Sequence, residues 1–132
     1  FISDLMFSGF LENLQYEKQY PRSQAFKKTV ENRSGIITVD DAHEPGDADI
    51  VYGGGIYDGR YAIDPRSPNG IHRCYMIAAL HHEPNTVLEI GFSSGSWAAV
   101  LLRHEAVREL QVVEINPGYL KVINDYEEHA GL

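Results

Sequence analysis

Between Thr86 and about His129 the sequence changes its periodicity three times, and this succession constrains the fold more than any other feature. Thr86-Val87-Leu88-Glu89-Ile90 has the pattern of a buried strand, and Ser96-Trp97-Ala98-Ala99-Val100-Leu101-Leu102 that of a helix. Leu110-Gln111-Val112-Val113-Glu114-Ile115 reads as a second strand. A second helix runs from Pro117 to about His129, with proline in its first turn. Strand, helix, strand and helix in that order imply parallel strands joined by right-handed crossovers, hence an α/β class.

The chain before this point reads differently. Gly35-Ile36-Ile37-Thr38-Val39 is rich in β-branched residues, and Ile50-Val51-Tyr52 and Gly55-Ile56-Tyr57 are further short strands. The acidic stretch Asp40–Asp47 lies between them as a polar turn, so residues 26–64 read as a small antiparallel meander. Asn69-Gly70 then opens a helical pattern through Met76, Ile77 and Leu80 that stops before Pro84. Phe7, Phe10, Leu11 and Leu14 predict a short amphipathic helix ending before Pro21. Three parts follow: residues 1–25, a helical segment or linker; 26–68, the meander; and 69–132, a partial nucleoside-binding α/β unit.

Charge and cysteine content narrow the function classes. Eleven basic against 19 acidic side chains give a net charge of −8 over 132 residues, and the excess acid lies beyond residue 34. A phosphate-backbone partner needs a basic face, so nucleic acid is excluded as a partner, whereas a cationic small molecule is electrostatically welcome. The single cysteine, Cys74, excludes an intramolecular disulfide and a cysteine-based zinc site, and it points to a reducing, cytoplasmic compartment. His81-His82 lacks a third ligand, and adjacent residues on a helix point apart, so no metal site is expected. No run approaches the length of a membrane span, and the Phe1-Ile2-Ser3-Asp4 start lacks the basic region of a signal peptide, which suggests a piece of a longer gene product.

Ile90-Gly91-Phe92-Ser93-Ser94-Gly95-Ser96 connects the first α/β strand to its helix, and two chemistries use such a turn. In nucleotide binding, small residues let the backbone approach a ligand at the carboxyl edge of the sheet, and an acid about 20 residues on, after the next strand, holds the ribose. Glu114 stands 19 residues beyond Gly95. In a serine hydrolase, Gly91-Phe92-Ser93-Ser94-Gly95 satisfies the nucleophile elbow Gly-x-Ser-x-Gly, and Tyr52-Gly53-Gly54-Gly55 would serve as an oxyanion loop. The hydrolase reading needs an acid and a histidine on later strands, and only Asp125 and His129 follow, both on one predicted helix. Nucleotide binding is the stronger reading.

Val87-Leu88-Glu89-Ile90-Gly91 through Leu101-Leu102, followed by Val112-Val113-Glu114-Ile115-Asn116-Pro117-Gly118-Tyr119-Leu120, resembles the spermidine synthase family. The resemblance covers residues 26–126 and is most specific from Glu114 to Leu120. It implies an N-terminal β-meander followed by the first β-α-β-α units of a Rossmann-like methyltransferase fold. It further implies a nucleoside ligand, decarboxylated S-adenosylmethionine, whose aminopropyl group passes to a polyamine such as putrescine, with no metal. The family's site maps onto Gly91, Phe92, Ser93 and Gly95 in the turn, Glu114 on the ribose, Ile115 beside the adenine, and Arg60 or, two places earlier, Asp58 near the nucleoside.

This chain departs from the family in three places. Ser93 stands where a central glycine is usual, Arg73-Cys74-Tyr75 falls on a Tyr-His-Glu motif, and the family's catalytic aspartate would lie beyond Leu132. The chain alone is therefore expected to be inactive, with an open sheet edge left by missing strands or covered by another chain, for which a homo-oligomer is expected. The family also includes domains fused to membrane spans, which makes the soluble part of a membrane-anchored protein the alternative location. A methyltransferase using intact S-adenosylmethionine is the rival enzyme, favoured if Arg60 or Arg73 meets its carboxylate. A binding domain of the same fold without catalysis is the third reading. Glu89 is read either as a ligand-site carboxylate or as the partner of a basic neighbour, and Trp97 as core packing.

Overall fold

The computed structural model describes residues 26–42 and 47–124. The helix expected around Phe7–Leu14 lies outside these residues, as do Asp125, His129 and the end of the last helix. The described chain holds a four-stranded antiparallel sheet and a two-stranded parallel sheet with short helices.

The antiparallel sheet consists of β1 (Lys28–Asn32), β2 (Gly35–Asp40), β3 (Ile50–Gly53) and β4 (Ile56–Arg60), paired in chain order. Strand β1 has too few apolar residues to announce itself, and its pairing with β2, Lys28 opposite Val39 through Asn32 opposite Gly35, defines it. Asp49, 5% exposed, holds the β2–β3 loop by accepting the Ala42 N–H at 2.9 Å and the Lys27 ammonium at 2.6 Å. Gly54-Gly55 joins β3 to β4 with both residues at positive φ, the two-residue turn whose twist suits a hairpin. The β3–β4 register shifts at Val51/Tyr52: Val51 faces Gly59 while Tyr52 faces Tyr57. Asp58 is thus the extra residue of a β-bulge, with its main chain freed from the ladder.

The segment expected as one helix from Gly70 to Leu80 forms two, α1 (His72–Tyr75) and α2 (Ile77–Leu80). Met76 between them has ψ −5°, and its carbonyl accepts the Ala79 N–H at 2.9 Å, a three-residue step that interrupts the regular ladder. Strand β5 (Thr86–Ile90) leads into α3 (Ser96–Leu102), then β6 (Glu109–Val113) and α4 (Gly118–Asn124). β5 and β6 pair in parallel from Thr86 opposite Glu109 to Ile90 opposite Val113, so the strand-helix-strand reading holds.

Two apolar clusters organise the packing. One joins Ile71 and Cys74 to Val100 and Leu101, with Val87, Trp97 and Leu110 against them, and covers one face of the parallel pair. The other joins Val30, Ile37, Val39 and Val51 to Tyr119 and Val122. Helix α4 therefore packs on the antiparallel sheet. Asn116 fixes its start: Oδ1 accepts Asn32 Nδ2–H at 2.7 Å and the Gly118 N–H at 2.9 Å. The other face of the parallel pair is open, with Leu88 58%, Ile90 82% and Val113 57% exposed. Among the described residues no helix is long and apolar enough to cross a membrane.

Candidate functional site

The β5–α3 turn is attached to the end of β4 by three serines. Ser93 Oγ donates to the carbonyl of the bulged Asp58 at 3.0 Å, and Ser94 and Ser96 Oγ both donate to the Arg60 carbonyl at 2.8 Å. Ser94 and Ser96 are 4% and 0% exposed, so these bonds replace lost water contacts and bind the two sheets together. An added Cβ at Gly59 would collide with Ser93 Oγ, so only glycine allows the turn to sit this close to β4.

Ser93 has φ 48°, left-handed backbone that costs a side-chain-bearing residue about 1 kcal/mol or more. Its hydroxyl bond to Asp58 accompanies that conformation. Because the hydroxyl proton is directed at a main-chain carbonyl, the elbow pattern here serves to join strands. Gly95 (φ 75°) is a packing glycine: a Cβ there would stand 3.1 Å from Ile123 Cδ1 and 3.4 Å from Phe92 Cζ.

Glu114 follows β6 and reaches back to the turn. Its Oε2 accepts the Phe92 N–H at 2.7 Å and its Oε1 the Asn116 N–H at 2.6 Å, while the Gly91 N–H bonds the Val113 carbonyl at 2.8 Å. The acid and the turn therefore meet at the carboxyl end of the parallel pair. A carboxylate accepts about four hydrogen bonds, so two sites on Glu114 stay available after its two main-chain bonds. Ile115 beside it is 91% exposed.

Beneath the turn lies a cavity of about 350 Å³, within the range of small-ligand pockets. Of the seven residues expected at the site, Gly91, Phe92, Ser93 and Arg60 line it. Gly95, Glu114 and Ile115 are outside its wall, Gly95 behind the turn and the other two beyond the β6 end. Arg60 also pairs with Asp47, Nη1 to Oδ1 at 2.5 Å. Trp97 borders the cavity as well as the core, with Nε1–H donating to the Asn69 carbonyl at 3.3 Å.

Asp58, Arg73, Cys74 and Glu89 complete the charged and titratable part of the wall. Glu89 is 8% exposed, and burial pushes its carboxyl up to about 7. Burial, and secondarily the Glu89 charge, pushes the Cys74 thiol up to about 11, so the thiol is an inert core group. Glu89 Oε2 and Arg60 Nε are both fully buried with no hydrogen-bond partner among the described residues. Such groups ordinarily find one. A ligand offering a donor to the first and an acceptor to the second would complete both, so the wall fits a small polar molecule that carries both kinds of group.

Among the described residues no group of three or more His, Cys, Asp or Glu side chains could hold a metal ion. No family model matches the chain, and no curated protein matches it.

Proposed function

We propose that this chain carries the nucleoside site of a Rossmann-like domain of the spermidine synthase type, which receives decarboxylated S-adenosylmethionine for aminopropyl transfer to a polyamine such as putrescine. One observation carries the reading: the Gly91–Gly95 turn and the Glu114 carboxylate meet, at 2.7 Å, at the carboxyl end of two parallel strands. That is the end at which open α/β sheets take nucleotides. On this reading the free acceptor sites of Glu114 hold the ribose hydroxyls. Ile115, exposed beside it, covers the adenine. The sulfonium end of the ligand enters the cavity beneath the turn, where Phe92 and Trp97 shield it and an amine is aligned for displacement at the adjoining carbon.

Arg73 favours a second reading. It is exposed on α1 and lines the same cavity, so its guanidinium could meet the carboxylate of intact S-adenosylmethionine, as a methyltransferase would require. Calorimetric titration with the two sulfonium nucleosides separates them. Aminopropyl chemistry predicts that the decarboxylated ligand binds at least as tightly and that Arg73→Ala leaves this unchanged. Tighter binding of the intact ligand by tenfold or more, lost in Arg73→Ala, would establish the methyltransferase reading instead.

A further inference from the structure

We propose that the acceptor amine is a diamino acid, whose carboxylate Arg73 holds at the wall of the cavity beneath the Gly91–Gly95 turn. The inference rests on the aminopropyl reading above and replaces its plain diamine with one that carries a carboxylate.

Placement supplies the first argument. Arg73 lies on α1, exposed, and lines the cavity. Its Nε and Cζ each stand 3.9 Å from the position a Gly70 Cβ would take, and Trp97 Cζ2 stands 3.5 Å from the same position. Guanidinium and indole therefore flank Gly70 together. Arg60, Arg66 and Arg108 direct their guanidinium groups to Asp47, Asp64 and Asn85. No hydrogen bond or ion pair among the described residues engages that of Arg73. A guanidinium offers a planar fork of donors that matches a carboxylate, and here the fork is open to a ligand in the cavity.

Charge supplies the second argument. The wall carries Asp58 and Glu89 against Arg60 and Arg73. Arg60 is paired with Asp47, and burial pushes the Glu89 carboxyl up to about 7, so Glu89 keeps its proton for much of the time near neutrality. What then faces a ligand is one acid, Asp58, and one base, Arg73. That is the complement of a zwitterion. Decarboxylated S-adenosylmethionine already brings a sulfonium and an ammonium, so a diamine beside it adds like charge, whereas a diamino acid brings Arg73 its counter-ion.

In the transfer, the uncharged amino group of the acceptor bonds to the methylene carbon beside the sulfonium while the carbon–sulfur bond breaks. The electron pair of that bond passes to sulfur, which leaves as the neutral thioether methylthioadenosine, and the proton released by nitrogen goes to water. Arg73 takes no part in this exchange. It is a positioning residue that sets which amine is aligned.

The test compares putrescine with ornithine, which is putrescine with one carboxylate added. Each is titrated into the isotopically labelled chain in the presence of methylthioadenosine, for wild type and Arg73→Gln, and followed by the turn amides and the Arg73 Nε–H signal. Because Arg73 is exposed, the substitution leaves the core untouched. Ornithine should bind at least tenfold more tightly than putrescine and shift the Arg73 Nε–H signal, and Arg73→Gln should abolish the preference while methylthioadenosine affinity stays the same. Putrescine binding as tightly as ornithine, or a preference that survives in Arg73→Gln, overturns the inference and leaves the nucleoside reading standing. A tenfold preference for intact over decarboxylated S-adenosylmethionine that depends on Arg73 assigns the guanidinium to the nucleoside's own carboxylate and also overturns it. Failure of methylthioadenosine to shift the turn amides overturns both.

Discussion

Glu114 accepts the main-chain N–H of Phe92 at 2.7 Å across a separation of 22 residues, so the acid after one strand holds the turn after the other. The bond belongs both to the fold and to the proposed site. It keeps the glycine turn against the end of β6, and it orients a carboxylate that retains acceptor capacity for a ligand.

Glu114→Ala should weaken methylthioadenosine binding by about 1–3 kcal/mol, because in the proposed site it removes charged hydrogen bonds to the ribose, and it also frees the turn. Glu114→Gln keeps an acceptor for one of the two main-chain N–H groups and should cost less. Paired calorimetric titrations check the order. Equal affinities for wild type and Glu114→Ala would remove Glu114 from the site.

The raised carboxyl of Glu89 makes stability fall with pH. In the unfolded chain a glutamate ionises near its ordinary value of 4.5, whereas in the fold it holds its proton up to about 7. The folded state therefore binds more protons between these limits, and stability declines across that window and then levels off. Glu89→Gln removes this decline. The variant should match wild type near pH 4.5 and exceed it by about 2–3 kcal/mol above pH 7.5 in denaturant unfolding. A constant difference across that range would contradict the assignment.

Gly59→Ala should destabilise the fold by about 1–3 kcal/mol, since its methyl group would collide with Ser93 Oγ. Ser93→Gly removes the obstacle and relaxes the left-handed φ of 48° while losing the bond to Asp58. The alanine should then be tolerated in the Ser93→Gly background. Additive costs in this double-mutant cycle would show that the clash is relieved elsewhere.

What the sequence discloses and what it withholds follow from the range of the interactions. The β5–α3–β6 succession is legible because each element has its own period, and the 19-residue interval from Gly95 puts Glu114 beside the turn. Strand β1 is only implied within the meander, because Lys28-Thr29-Val30-Glu31-Asn32 becomes a strand through β2. The break at Met76 is hidden in a continuous helical pattern and comes from a local change of backbone step. The cavity is the least legible feature. Asp58, Arg73 and Glu89 line it together although they lie on different elements, and the bulge that frees Asp58 to meet Ser93 is a matter of register. The sequence offers Glu89 as a ligand-site carboxylate or as the partner of a basic neighbour without deciding between them; the lack of any such partner among the described residues is visible only in three dimensions.

The central claim is that the turn from Gly91 to Gly95 and the adjacent Glu114 form a nucleoside site. Its most direct test is a titration of the isotopically labelled chain with methylthioadenosine, followed by the amide signals of Gly91, Phe92, Ser93 and Asn116. The account predicts saturable shifts in these signals with a dissociation constant on the order of a millimolar or tighter, about −4 kcal/mol. The Phe92 and Asn116 amides should move because both are bonded to Glu114. Unchanged turn amides at several times that concentration, or shifts confined to a different part of the molecule, would contradict it.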